Sequence, residues 1–243
     1  MYAQLPLKIG LREEACFETF VAETESLTLA LADVQKNLKK ASGQAFCFVG
    51  PSGVGKTHLL QAACRYQIEI QQSKPSASAS VYLPLGDQSL PLVPAVLDGM
   101  EQISLVCVDD VDGVIGQTEW ELALANLLMK AKSQGHSIML SSQSFIGDWP
   151  IKTKELASAM MSVLPIDLAP LDSDKEIVYA LQKHADKLGF KLPVEVCNFL
   201  IKQFSKDLQE LLAVVGLLEE ASFVQKRRIT LPFVKQVLSE KAL

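Results

Sequence analysis

Apolar and polar positions along the chain change their period after residue 171, and that change divides its architecture. Up to that point short apolar runs alternate with helical stretches. A helix is predicted over 25–41, capped by Thr24 or Ser26, followed by the apolar run Ala45-Phe46-Cys47-Phe48-Val49, of strand type. A second helix runs from His58 to about Gln71, and the small, polar, Pro-interrupted stretch 72–80 reads as a surface loop. Strands are then expected at 81–85, 103–108 and 137–142, with a last short one at 166–168. A short helix is predicted over 94–100 and a long one over 119–133. From 174 onward only the helical period remains, predicting helices at 174–188, 193–203, 206–223 and 232–238. Strands of near-continuous apolar character joined by helical crossovers predict a parallel α/β domain, here with an all-helical domain appended. The boundaries expected are 1–12 for a tail, 13–171 for the α/β domain and 172–243 for the helical one.

The first strand opens into Gly50-Pro51-Ser52-Gly53-Val54-Gly55-Lys56-Thr57, which has the spacing G-x-x-x-x-G-K-T, and His58 follows in the helix. Strand, glycine-rich loop and helix in that order form a P-loop. Glycines let backbone N–H groups turn toward phosphate oxygens, and the helix N-terminus adds its positive end. Lys56 is placed to reach the β- and γ-phosphates, and the Thr57 hydroxyl to sit on Mg²⁺, so the expected cofactors are ADP or ATP with Mg²⁺.

A second element fits the first. Leu105-Val106-Cys107-Val108 delivers Asp109 and Asp110 to the C-terminal end of a strand, the edge at which such sheets bind ligands. As a Walker B pair, Asp109 would hold the metal and Asp110 could polarise an attacking water. Asp-Asp-Val-Asp-Gly is also good turn chemistry. Ser142 and Gln143, at the end of the next strand, fit the place of a γ-phosphate sensor between the two elements.

Composition narrows the partners. The chain has 243 residues, 49% of them hydrophobic, which suffices for one large core or two smaller ones. A formal charge of −5 argues against strong direct DNA binding, which depends on phosphate neutralisation by Lys and Arg. Five scattered cysteines without C-x-x-C spacing suit a reduced cytoplasmic protein. No signal peptide is read at the start, and the longest apolar run, 211–218, is too short to span a bilayer.

With this order of elements, the Walker pair and the helical lid, the chain resembles the AAA+ ATPases. Within them it resembles the DnaA-related group, and most nearly the Hda type of replication regulator. Phe17-Glu18-Thr19-Phe20-Val21 is similar to the entry segment that packs beside the adenine, which implicates Phe17 and Phe20 in nucleotide binding. Further likeness lies in 96–101 with 105–110, in Gly189-Phe190-Lys191-Leu192-Pro193, and in 229–235. Gln4-Leu5-Pro6-Leu7-Lys8-Ile9 is similar to the short peptide with which Hda-type proteins dock on the DNA polymerase sliding clamp. In that reading Gln4 makes polar contacts while Leu7 and Ile9 fill an apolar pocket, with Leu5 part of the same clamp-binding peptide. DnaA itself continues beyond the lid into a helix-turn-helix DNA-binding domain, so a regulator is expected here rather than an initiator. The resemblance implies partnership with DnaA and the clamp, with hydrolysis of DnaA-bound ATP as the outcome, and it leaves self-assembly open.

Two departures stand out. The group's arginine finger lies in an Ala-Ser-Arg-Leu box, whereas this chain reads Ala157-Ser158-Ala159-Met160. The lid arginine called sensor II would precede Glu210-Leu211, where Gln209 stands, with Lys206 one turn earlier as a substitute. No arginine occurs between Arg65 and Arg227. Arginine fingers are worth roughly 10³–10⁵ in rate, so weak or absent intrinsic ATPase activity is expected. Lys152 and Lys154 are the nearest alternatives to the finger, as point charges lacking the bidentate fork. An autonomous AAA+ ATPase, such as a helicase loader, is the rival reading, favoured by Asp110.

Overall fold

The computed structural model describes residues 15–22, 24–71, 80–87, 89–204 and 206–240. The clamp-peptide residues Gln4, Leu5, Leu7 and Ile9 lie outside that range, as does most of the polar stretch after Gln71. The chain divides into two units after Leu168, with Glu18 and the residues that follow it up to 22 grouped with the second.

Five strands, β1 (Ala45–Val49), β2 (Ser80–Pro84), β3 (Leu105–Asp109), β4 (Ser137–Ser142) and β5 (Val163–Asp167), form one sheet in the order β2-β3-β4-β1-β5. Every pairing is parallel. The three inner strands are buried at every position, which explains the apolar runs Ala45–Val49, Leu105–Val108 and Ile138–Leu140 within them: helices cover both faces of the sheet. At the edges β2 is half-buried, and β5 exposes Leu164 and Pro165. An edge tolerates Pro165 because the missing N–H faces no ladder partner.

The helices of this unit are α1 (Glu25–Lys40), α2 (Lys56–Gln71), α3 (Thr118–Ser133) and α4 (Lys154–Met160). Of the two caps offered by the sequence, Thr24 is the one used: its Oγ1 accepts from the Leu27 N–H at 3.1 Å. The core joins Val106, Val108, Leu124, Leu127, Leu140, Trp149 and Leu156 between the sheet and α3–α4.

Three sequence expectations need correction. The stretch 94–100 is not one helix but two 3-10 turns, Pro94–Leu97 and Met100–Gln102, separated by Gly99 at φ 81°. α4 was not foreseen, and it contains the 157–160 box. β5 begins earlier than expected, at Val163, and ends at Asp167.

The second unit packs α5 (Asp174–Lys187), α6 (Val194–Gln203), α7 (Leu208–Gln225) and α8 (Leu231–Glu240) around Ile177, Leu181, Leu200, Leu211, Val215, Leu218 and Phe233. Its helices start on clear signals. Ser173 and Glu176 form a reciprocal capping box on α5, and Asp207 accepts from the Gln209 and Glu210 N–H groups on α7. No helix among the described residues is long and apolar enough to cross a membrane.

Candidate functional site

The strand order sets β4 between β1 and β3, so the loop after β1 and the acids at the end of β3 flank the end of β4. Gly50 begins that loop where no side chain fits: a Cβ there would stand 2.3 Å from the Leu168 carbonyl oxygen. The Gly50 N–H donates to the Ser142 carbonyl at 3.1 Å, tying the loop to β4. Gly53 and Gly55 take φ of 84° and 96°, which L side chains rarely adopt, and α2 opens at once with Lys56. The first-turn N–H groups of an α-helix have no partner within it, so Lys56, Thr57 and His58 open the helix where an anion would be met.

Lys56 is only 6% exposed, and its ammonium donates to the Gly50 and Pro51 carbonyls at 2.7 and 2.8 Å. Burial lowers its pKa, opposed by the charges of Asp110, Asp109 and Asp112. Ser52 and Gly53 are exposed at the crest of the loop, Val54 half-buried beneath it.

Asp109 is 3% exposed and its carboxylate accepts from three hydroxyls. The Thr57 hydroxyl donates to Oδ2 at 2.7 Å, the Tyr82 phenol to the same oxygen at 2.6 Å, and the Ser141 hydroxyl to Oδ1. A threonine hydroxyl and one carboxylate are hard oxygen donors that suit Mg²⁺, which takes few protein ligands and completes its shell with phosphate oxygens and water. Among the described residues no cluster of three or more His, Cys, Asp or Glu offers a metal cage, and Thr57 with Asp109 would hold such an ion.

Asp110 lies next to the engaged carboxylate in left-handed backbone, φ 53° and ψ 48°, and its N–H donates to Ser141 Oγ at 2.8 Å. Its side chain rests against Gly86, where a Cβ would come within 2.6 Å of Oδ2. Burial raises its pKa, helped by Asp109 and Asp112 and opposed by Lys56.

The other sequence candidates fall in several places. Ser142 is fully buried, and its hydroxyl donates to the Ser144 carbonyl at 2.8 Å and accepts from the Trp149 indole at 3.2 Å. Gln143 is exposed, with its N–H donating to Asp112 Oδ2 at 3.1 Å. It is therefore Ser141, one residue earlier, that meets the Asp109 carboxylate. Successive strand residues point to opposite faces, and counting the register on from Val108 opposite Leu140 would have set Ser141 beside Asp109. Tyr82 was missed because nothing local in an edge strand marks a tyrosine as turned inward.

His58 Nε2 pairs with the Cys16 carbonyl at 2.9 Å, and the Phe17 ring meets Tyr66 edge-on at 5.8 Å. Phe20 is half-buried in the second unit. There too Lys206 pairs with Asp174 at 2.7 Å, and Gln209 is exposed in the first turn of α7. Lys152 and Lys154 are exposed, and their segment is held by Glu121 of α3, a buried carboxylate that accepts from the N–H groups of Gly116, Lys152 and Thr153.

Residues 11–166 match the family model of the bacterial DnaA ATPase domain. The chain belongs to that family. Its DnaA-type domain is followed by a match over 172–238 to the lid domain of Hda, which makes it a DnaA-related, Hda-like AAA+ protein. Among solved structures, domain III of the Thermotoga maritima replication initiation protein DnaA is 21% identical, with a TM-score of 0.72 over 95% of this chain and 98% of that one. AMPPCP-bound DnaA from Aquifex aeolicus is 20% identical, with a TM-score of 0.65 over 86% of this chain and 66% of that one. The RuvB Holliday junction branch migration motor of Thermotoga maritima shares the fold at 13% identity, with a TM-score of 0.61 over 93% of this chain and 71% of that one. The expected AAA+ α/β fold with a helical lid is thus the one found, in a DnaA-type sequence.

Proposed function

We propose that this DnaA-family chain is a nucleotide-binding adaptor of the Hda type, which takes ADP or ATP with Mg²⁺ and acts on the initiator DnaA to promote hydrolysis of its bound ATP. The observation that carries the reading is a contrast within one molecule. The residues expected to hold nucleotide lie close together: Gly50 is seated where only glycine fits, Lys56 at the start of α2 turns its ammonium onto the Gly50 and Pro51 carbonyls of the loop, and Thr57 is bonded to Asp109 at 2.7 Å. The parts expected to drive hydrolysis are altered, with Ala157-Ser158-Ala159-Met160 in place of an arginine box and Gln209 in place of the lid arginine. Such a protein uses nucleotide to hold a shape rather than to turn it over.

The resemblance of Gln4 to Ile9 to a clamp-docking peptide supports recruitment to the sliding clamp, which would restrict the action to replicating DNA in the cytoplasm. The test is hydrolysis of ATP pre-bound to DnaA with this protein added, with and without DNA-loaded clamp. Clamp-dependent acceleration is expected, and its loss on Gln4→Ala/Leu7→Ala with nucleotide binding intact would fix the role of the tail. Rapid turnover of this protein's own ATP, with no effect on DnaA, would instead favour an autonomous ATPase using Asp110.

A further inference from the structure

Three elements, α2, β2 and β4, send side chains to the Asp109 carboxylate on β3, and the one from β2 has no assigned part. Tyr82 stands on the edge strand β2, where a phenol has solvent within reach, yet it turns inward onto Asp109 Oδ2 at 2.6 Å. Gln61 lies one turn after Thr57 on α2, is 5% exposed, and neighbours the phenol. A row of polar side chains therefore runs from α2 through β2 to the end of β3. Ser141 of β4 holds the other oxygen of the carboxylate.

An ionised carboxylate has about four acceptor sites, and three hydroxyls fill three of them here. All three donors are neutral, so the full charge of Asp109 remains and only its direction is fixed. The Thr57 hydroxyl gives its proton to that fixed oxygen, which leaves the lone pairs on Thr57 Oγ1 available to a cation. Were the carboxylate to swing, Thr57 would lose the partner that orients it.

We infer that Tyr82 is a positioning residue for the metal arm of the nucleotide site: its phenol, braced by Gln61, fixes the Asp109 carboxylate so that Thr57 presents its oxygen to Mg²⁺. The inference rests on the reading that the site takes a magnesium nucleotide. Neighbours that orient metal-binding groups, when removed, typically cost 10–100-fold in metal affinity, and about tenfold is expected for one hydroxyl of three.

The experiment titrates Mg²⁺ into the full-length chain with a fluorescent ADP analogue, in wild type, Tyr82→Phe and Gln61→Leu, alongside affinities in excess EDTA. Wild type is expected to bind more tightly with Mg²⁺. Tyr82→Phe should raise the Mg²⁺ midpoint about tenfold with its EDTA affinity unchanged, and Gln61→Leu should shift it the same way by less. A wild type that binds no nucleotide would sink the reading of the site itself. A wild type that binds nucleotide without regard to Mg²⁺, or a Tyr82→Phe midpoint within about twofold of wild type, would overturn the positioning role alone, as would equal losses with Mg²⁺ and with EDTA. Should Tyr82→Phe not fold, Gln61→Leu carries the same comparison.

Discussion

Replacing Glu121 by Gln should destabilise the α/β unit out of proportion to a change of one atom. The carboxylate is fully buried, and Oε1 accepts from Gly116 N–H at 2.9 Å and Lys152 N–H at 3.1 Å, while Oε2 accepts from Lys152 N–H at 3.0 Å and Thr153 N–H at 2.7 Å. An amide turns one of those oxygens into a donor that faces N–H groups, so one or two charge-assisted bonds are lost whichever way it sits. At about 1.5–3 kcal/mol per hydrogen bond to a charged group, the cost is about 2–4 kcal/mol. For a protein of this size that lowers the melting temperature by roughly 5–15 °C. Both tryptophans, Trp120 and Trp149, are buried in this unit, so intrinsic fluorescence in a urea titration reads its unfolding. The pH dependence gives a second reading. Burial pushes the Glu121 pKa up, but the Lys152, Gly116 and Thr153 donors outweigh it and hold the folded value below the ordinary one. Stability from this group is therefore present above its unfolded pKa of about 4.3 and is lost as pH falls through the depressed folded value. Glu121→Gln should lack that part of the acid sensitivity. A variant within about 1 kcal/mol of wild type at pH 7, with an unchanged acid limb, would refute the argument.

Three further outcomes are expected. Gly50→Ala drives a methyl group to 2.3 Å from the Leu168 carbonyl, which the Leu168 N–H bond to Val49 at 2.7 Å keeps in place. It should cost about 1–3 kcal/mol in chemical denaturation and weaken ADP binding measured by calorimetry, and undiminished binding would count against the close approach. Asp110→Asn removes a carboxylate whose folded pKa is raised by burial, Asp109 and Asp112, and asparagine accepts left-handed backbone well. Wild-type stability should fall as pH rises through that raised value, while the variant gains about 0.5–2 kcal/mol at pH 8, and a loss there would contradict it. Ser173→Ala breaks the capping box on α5 and should cost about 1 kcal/mol, seen as faster amide exchange at the start of that helix.

What the sequence disclosed, and what it withheld, follows from the range over which each signal acts. The phosphate loop and the inner strands were legible because five consecutive apolar residues and the spacing of Gly50, Gly55 and Lys56 are local facts. The lid helices were legible for the same reason, each carrying several turns of one period. α4 was not, since seven residues give too few turns to show a stripe, and its cap Thr153 had no recognised helix to cap. Gly99 divides a stretch that looks helical by composition, because its φ of 81° stops the turn before a full helix forms. Glu121 reads as a solvent-facing helix charge, and its partners are backbone N–H groups, one just before its helix at Gly116 and two in a distant loop at Lys152 and Thr153, that carry no side-chain signature. The site divides in the same way. Lys56, Thr57 and Asp109 announce themselves through motifs, whereas Tyr82 and Ser141 reach Asp109 only through strand order and register.

The strand that carries the phosphate loop is a latecomer in its own sheet. β1 ends at Val49, but its two neighbours are β4 and β5, and Val49 is not opposite Asp167 until 118 further residues have been made. At about 5–20 residues per second, a ribosome takes roughly 6–24 s to supply them. Within that time β2 and β3 can pair as soon as Asp109 is made, while Ala45–Val49, an apolar pentapeptide, has both edges open until β4 is complete at Ser142 and one edge open until β5 follows. The nucleotide cradle is thus among the last parts of the α/β unit to close, and nascent chains cut short before β5 would carry the whole glycine motif without a pocket to put it in.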